Sequence, residues 1–152
     1  MTGAPATFHE RLLLHASRIP DTPALVTRDA SIPYAALASD VRALASALRS
    51  RGVARGSVVA LTARREIDHV LAALALMELG VAQVGLPSRD PVEMRARLAR
   101  RVGVGSVLAD RPDDAVAGLE WIDLGGALAS ARVRPRREAL PRADPTAPTL
   151  VF

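Results

Sequence analysis

At 152 residues with 49% hydrophobic side chains, the chain fits one ordinary domain or one lobe of a larger one and carries too much apolar content for a wholly disordered polypeptide. The net charge is +4 with arginine as the only cationic long side chain, so the basic isoelectric point reflects the missing lysine rather than a large field, and a nucleic-acid surface is not expected. Without cysteine there is no disulfide, thiolate metal site or cysteine nucleophile; without a signal-peptide pattern, and with its most apolar stretch (70–84) broken by Glu78 and Gly80, a cytoplasmic chain with no membrane span is expected.

Residues 8–19 predict a first helix with Leu12, Leu13 and Ala16 on one face, stopped by Pro20. Residues 23–27 read as a short strand, and the Arg28–Ser31 turn returns the chain to Ile32, completing a small hairpin. A strong helix is expected over 34–51, where Tyr34, Leu37, Val41, Leu44, Ala45 and Leu48 recur at spacings of three and four. Pro33 suits its first position and Gly52 the left-handed residue after it. The β-branched run 57–61 is a buried strand, 66–79 a helix apolar on most sides (Ile67, Val70, Leu71, Leu74, Met77), and 81–86 the next strand.

Asp90, Pro91 and Glu93 then read as a capping box opening a helix. Arg100 and Arg101 suit its last turn and Gly103 its end. Residues 106–109 and 121–124 are further strands. Alternation of strands with crossover helices implies a mainly parallel sheet of βαβ units, with Val58, Ala60, Val84 and Val107 on neighbouring strands. Residues 132–144, with five arginines, Pro135 and Pro141, read as an internal connecting loop. The apolar run 148–152 reads as another strand, and an ending inside a strand suggests an incomplete chain.

Four blocks resemble the start of the adenylate-forming superfamily, which includes acyl- and aryl-CoA synthetases, fatty acyl-AMP ligases and adenylation domains of nonribosomal peptide synthetases. They are Pro20-Asp21-Thr22-Pro23-Ala24-Leu25-Val26, Ile32-Pro33-Tyr34-Ala35-Ala36-Leu37, Gly52-Val53-Ala54-Arg55-Gly56-Ser57-Val58-Val59-Ala60-Leu61, and the stretch centred on Leu79-Gly80-Val81-Ala82. They stand in the family's order and at its spacing, and the resemblance covers nearly the whole chain. Pro148-Thr149-Leu150-Val151-Phe152 is similar to the strand that feeds the family's phosphate loop, and that loop is not in this sequence. In the second block Pro33 and Ala36 replace the Thr and Glu of a capping box.

The resemblance implies that residues 1–152 are the N-terminal lobe of an enzyme that uses ATP and Mg²⁺ to activate a carboxylic acid as acyl-AMP. The acyl group would then pass to CoA or a carrier-protein thiol, with the remainder of the enzyme as this lobe's partner. The family's catalytic lysine cannot lie in a chain without lysine, so no catalytic residue is expected here and the segment alone should be inactive.

The isolated candidates read blandly. Asp68 and His69 are adjacent on a helix and point about 100° apart, so they form no automatic dyad. His9 and His15 lack the spacing of a helical metal pair. Gly103-Val104-Gly105 precedes a strand, whereas a dinucleotide fingerprint follows one. Arg64 and Arg65 follow a strand's carboxyl end, where ligands often bind, but a solvent-facing role is expected, as it is for Arg95. The alternative from another class is a stand-alone, non-catalytic flavodoxin-like module.

Overall fold

A computed structural model describes residues 7–131 of the chain, which form two compact units. The expectations for 132–144 and 148–152 lie outside the described residues.

The first unit, up to Asp40, begins with α1 (Phe8–Arg18). A full capping box starts this helix. The Thr7 hydroxyl accepts from the Glu10 amide at 3.2 Å, and the Glu10 carboxylate accepts from the Thr7 amide at 2.7 Å. The expectation from sequence did not include this box, although Thr-x-x-Glu is legible at residues 7–10. β1 (Pro23–Val26) and β2 (Ser31–Pro33) form the expected antiparallel hairpin, with Leu25 and Ile32 buried.

The helix α2 (Tyr34–Arg49) begins in this unit and continues into the second. Pro33 is the last residue of β2 and not the first of the helix. The lost capping box is replaced by backbone: the amides of Tyr34 and Ala35 donate to the carbonyls of Thr22 and Pro20, at 3.0 and 3.1 Å. The turn before the hairpin thus satisfies helix N–H groups that would otherwise lack acceptors.

The second unit runs from Val41 and holds a four-stranded sheet in the order β4-β3-β5-β6, with β3 (Val58–Thr62), β4 (Ala82–Gly85), β5 (Ser106–Ala109) and β6 (Glu120–Asp123). All three pairings are parallel. Ala60 faces Val84 on one side and Val107 on the other, as the β-branched runs predicted. The helices are α3 (Glu66–Glu78), α4 (Val92–Val102) and α5 (Leu124–Ser130).

Alternation along the strands divides the core. Ala60, Val107 and Ala109 pack with Ala96 and Ala99 of α4, with Val58 and Val84 partly buried against them. Val59, Leu61 and Leu108 point the other way and are also buried. The chain moves from β3 to β4 in one direction and from β4 back past β3 to β5 in the other. Right-handed crossovers therefore send α3 and α4 to opposite faces.

Several local expectations shift. Pro91 is the N-cap of α4, so Asp90 stands one residue too early and Glu93 is at the second helical position; no side chain caps the helix. Leu74 and Met77 are not core residues: α3 buries Leu71, Ala72, Ala75 and Leu76, and Met77 is 49% exposed. β4 is an edge strand and mostly exposed. The segment read as a strand over 121–124 ends at Asp123, and Leu124 starts a helix whose two glycines had hidden it. A Cβ at Gly126 would meet the Asp123 carboxylate at 2.6 Å, so that side chain would have to shift to admit one. Gly103 adopts the left-handed conformation at φ 75° and ends α4 as expected.

Leu44 is fully buried and Arg49 exposed on the same helix. Leu44→Asp should unfold the lobe, because an unpaired buried charge costs several kcal/mol against a total of roughly 5–15 kcal/mol. Arg49→Ala should leave the thermal midpoint close to that of the parent. Leu71→Asp should behave as Leu44→Asp does, and equal midpoints for all three would refute these helix faces.

Candidate functional site

In an open parallel sheet, ligands favour the carboxyl ends of the strands where the chain reverses direction across the sheet. Here that point lies between β3 and β5. The β3 end is tied to the segment after β4 by the buried Thr62 hydroxyl, which donates to the Leu86 carbonyl at 2.6 Å. Beyond it, the Arg64 amide donates to Asp110 Oδ2 at 3.1 Å, across from the end of β3 to the end of β5. The Arg64 guanidinium reaches further, with Nη2 at 3.2 Å from Asp114 Oδ1. Two carboxylates therefore hold this arginine, one by its backbone and one by its side chain.

Asp114 closes the short 3₁₀ turn Pro112–Asp114 and is 2% exposed. Its second cation is Arg95 of α4, also 2% exposed, with Nη1 4.0 Å from Oδ1 and Nη2 donating to the Asp114 backbone carbonyl. Arg95 is not the solvated side chain expected from sequence, whereas Arg64 keeps the expected exposure, its side chain 42% accessible while it pairs with Asp114. Arg95 shares the inward arc of α4 with Ala96 and Ala99, and an arginine among small residues at that spacing was the available signal. Asp114 offered no local sign. Arg95 Nε and Asp110 Oδ1 find no hydrogen-bond partner among the described residues.

Arg65 does face solvent, pairing with Asp68 at 3.6 Å. Burial lifts the Asp68 carboxyl above its ordinary value; Arg65 pulls the other way and Asp110 adds to the rise. His69 is exposed, and the ion pair of Asp68 is with Arg65, so no dyad forms. His15 lies against the Tyr34 ring, with centroids 5.1 Å apart, and His9 is half-buried; no cluster of metal-ligating side chains occurs among the described residues. Gly103 stops α4, and the Gly105 amide donates to the Val58 carbonyl at 3.0 Å, so neither glycine belongs to a phosphate cradle.

Three arginines (64, 65 and 95) thus meet three aspartates (68, 110 and 114) at the sheet's carboxyl edge. This set is nearly neutral and largely self-paired. It has no glycine-rich turn, and its carboxylates would repel a phosphate. Its chemistry is that of a clamp locking the β3–α3 loop to the β5 loop and to α4.

Asp114→Ala should cost about 3–5 kcal/mol, because it strands the buried Arg95 charge. Arg65→Ala should change stability by no more than about 1 kcal/mol; comparison of their denaturant midpoints checks this. Asp68 gives a pH signature. With its folded value raised, the native state binds more protons than the unfolded one between the ordinary carboxylate value and the raised value. Its contribution to stability therefore falls as pH rises through that window. Asp68→Asn should gain on the parent chain across the same window, and a pH-independent difference between the two would contradict the raised value.

The described geometry has counterparts among known proteins. A family model for AMP-binding enzymes matches residues 13–147. Phenyloxazoline synthase MbtB of Mycolicibacterium paratuberculosis is 31% identical over 142 residues, which cover 91% of this chain and 12% of that protein. Nonribosomal peptide synthetase 8 of Aspergillus fumigatus is 39% identical over 102 residues, covering 67% of this chain and 1% of that protein. The chain thus spans only a small part of these relatives.

Among solved structures, the Klebsiella oxytoca NpsA N-terminal subdomain in complex with 3-hydroxybenzoyl-AMSN aligns with a TM-score of 0.75 at 22% identity, over 87% of this chain and 33% of that one. The O-succinylbenzoate coenzyme A synthetase (MenE) of Bacillus subtilis, in complex with AMP, aligns at 0.71 and 22%, over 86% and 34%. At that identity the likeness establishes the fold: an α/β lobe with a parallel sheet and a small hairpin. The match to the family model over most of its length settles the affiliation, and the chain belongs to the AMP-binding enzyme family.

Proposed function

We propose that residues 1–152 form the N-terminal lobe of a larger adenylating unit. That unit joins a carboxylic acid to AMP at the expense of ATP with Mg²⁺, and delivers the acyl group to the thiol of CoA or of a carrier protein. The observation that carries this reading is the family match over residues 13–147, and it favours an adenylating lobe over a stand-alone flavodoxin-like module. The chain aligns with about a third of the NpsA subdomain, which supports a role as one wall of a larger site.

The described residues do not fit the nucleotide's triphosphate or its metal. The sheet's switch point is bridged by the Arg64–Asp110–Asp114 clamp, and among the described residues no three metal-ligating side chains converge. We therefore assign no catalytic role to these residues. Phosphate-gripping N–H groups, which stabilise charge at phosphorus, would come from outside residues 7–131.

The expected outcome is that the purified chain gives no carboxylate-dependent exchange of pyrophosphate into ATP. A polypeptide extended through the phosphate loop and the later domains should give it. Exchange by the 152-residue chain at an ordinary enzyme's turnover would overturn the assignment of the chemistry to other segments.

A further inference from the structure

On α4 the apolar arc is wider than the sheet can cover. Arg95, Ala96 and Ala99 are buried, yet beside them Met94, Leu98 and Val102 are 53%, 40% and 45% exposed. These three follow one another at four-residue spacing and form a stripe about 12 Å long. Arg97 and Arg101, three residues after Met94 and Leu98, run parallel to it as a cationic rail, and Glu93 is the only acid in the helix. Neither arginine of the rail enters an ion pair among the described residues.

We propose that this face of α4 is a docking surface for an acidic amphipathic helix of a partner protein, which would lay its apolar residues on Met94, Leu98 and Val102 and its carboxylates on Arg97 and Arg101. The length and spacing of the stripe suit the anchors of a second helix. The positive rail, unanswered among the described residues, sets the partner's charge. A second copy of this chain would bring the same arginines and repel. An anionic lipid surface fits less well, because the buried arc of α4 is sealed against the sheet and leaves only a narrow apolar stripe to insert.

The test titrates the isotopically labelled full chain with a helical peptide bearing leucines at i, i+4 and i+7 and glutamates on the flanks. A twin peptide with lysines in place of the glutamates, and phosphatidylcholine–phosphatidylglycerol vesicles, are titrated in parallel. The acidic peptide should shift the α4 amides around Met94, Leu98 and Val102 and bind at least about tenfold more tightly than the lysine twin. Leu98→Ser should abolish binding at an unchanged thermal midpoint, with Met94→Ser replacing it if that midpoint falls. Combined Arg97→Glu and Arg101→Glu should transfer the preference to the lysine twin. Equal affinity for the two peptides, shifts confined to other elements, or binding to vesicles without binding to the acidic peptide would overturn the proposal. A dimer in sedimentation that Leu98→Ser dissolves would assign the stripe to a second copy and overturn it as well.

Discussion

The buried carboxylate of Asp114 is the constraint on which the carboxyl edge of the sheet depends. An ionised carboxylate 2% exposed is tolerable only with cations in contact, and it has two from different places. Arg95 arrives from α4, which packs on the face carrying Ala60 and Val107, and Arg64 arrives from the loop after β3. One short turn therefore sets the distance between a helix and a loop that are far apart in sequence. Such a group stabilises little relative to an apolar plug of the same shape, but removal of one member is costly. Geometry rather than net stability is what it supplies.

That clamp occupies the place where such sheets commonly bind ligands. Doubly wound sheets bind nucleotides at the switch point because divergent loops leave a crevice and helix N-termini offer free N–H groups. In this chain the crevice between β3 and β5 is bridged by the bond from the Arg64 amide to Asp110, and α3 opens with Glu66 and Asp68 in its first turn. Negative charge at a helix N-terminus stabilises the helix and competes with any phosphate. The edge is thus satisfied from within.

The elements most legible in the sequence were those whose periodicity reports burial directly. The continuous β-branched run of β3 and the three–four spacing of Leu37, Val41, Leu44 and Leu48 required no knowledge of partners. The hairpin was legible from its turn. Illegible features were those decided by distant contacts. Arg95 looked like one more solvated arginine because its partner lies 19 residues away in a turn without a pattern. The helix α5 carries Gly125 and Gly126, poor helix formers, and is held by Arg51, which donates to the Ser130 hydroxyl at 2.8 Å. The start of α2 reversed the usual logic: losing Thr and Glu suggested a weak terminus, yet the carbonyls of Pro20 and Thr22 do the capping.

Pairing then separates the strands whose order is settled from those at the edges of the sheet. The central strands β3 and β5 are flanked on both sides and buried on both faces, so their order is settled within these residues. Among the described residues β4 and β6 each have one paired side and one without a strand partner, and Trp121 on β6 is 37% exposed. Open edges invite further strands unless charge or cover prevents it. Glu120 and Asp123 supply charge on β6, whereas β4, with the sequence Ala-Gln-Val-Gly, has none. Addition of another strand would therefore meet less electrostatic resistance at β4 than at β6, and the sheet's capacity to extend is asymmetric. The sheet thus has a centre fixed by apolar packing, a carboxyl edge bridged by ion pairs, and at β4 an edge without charge.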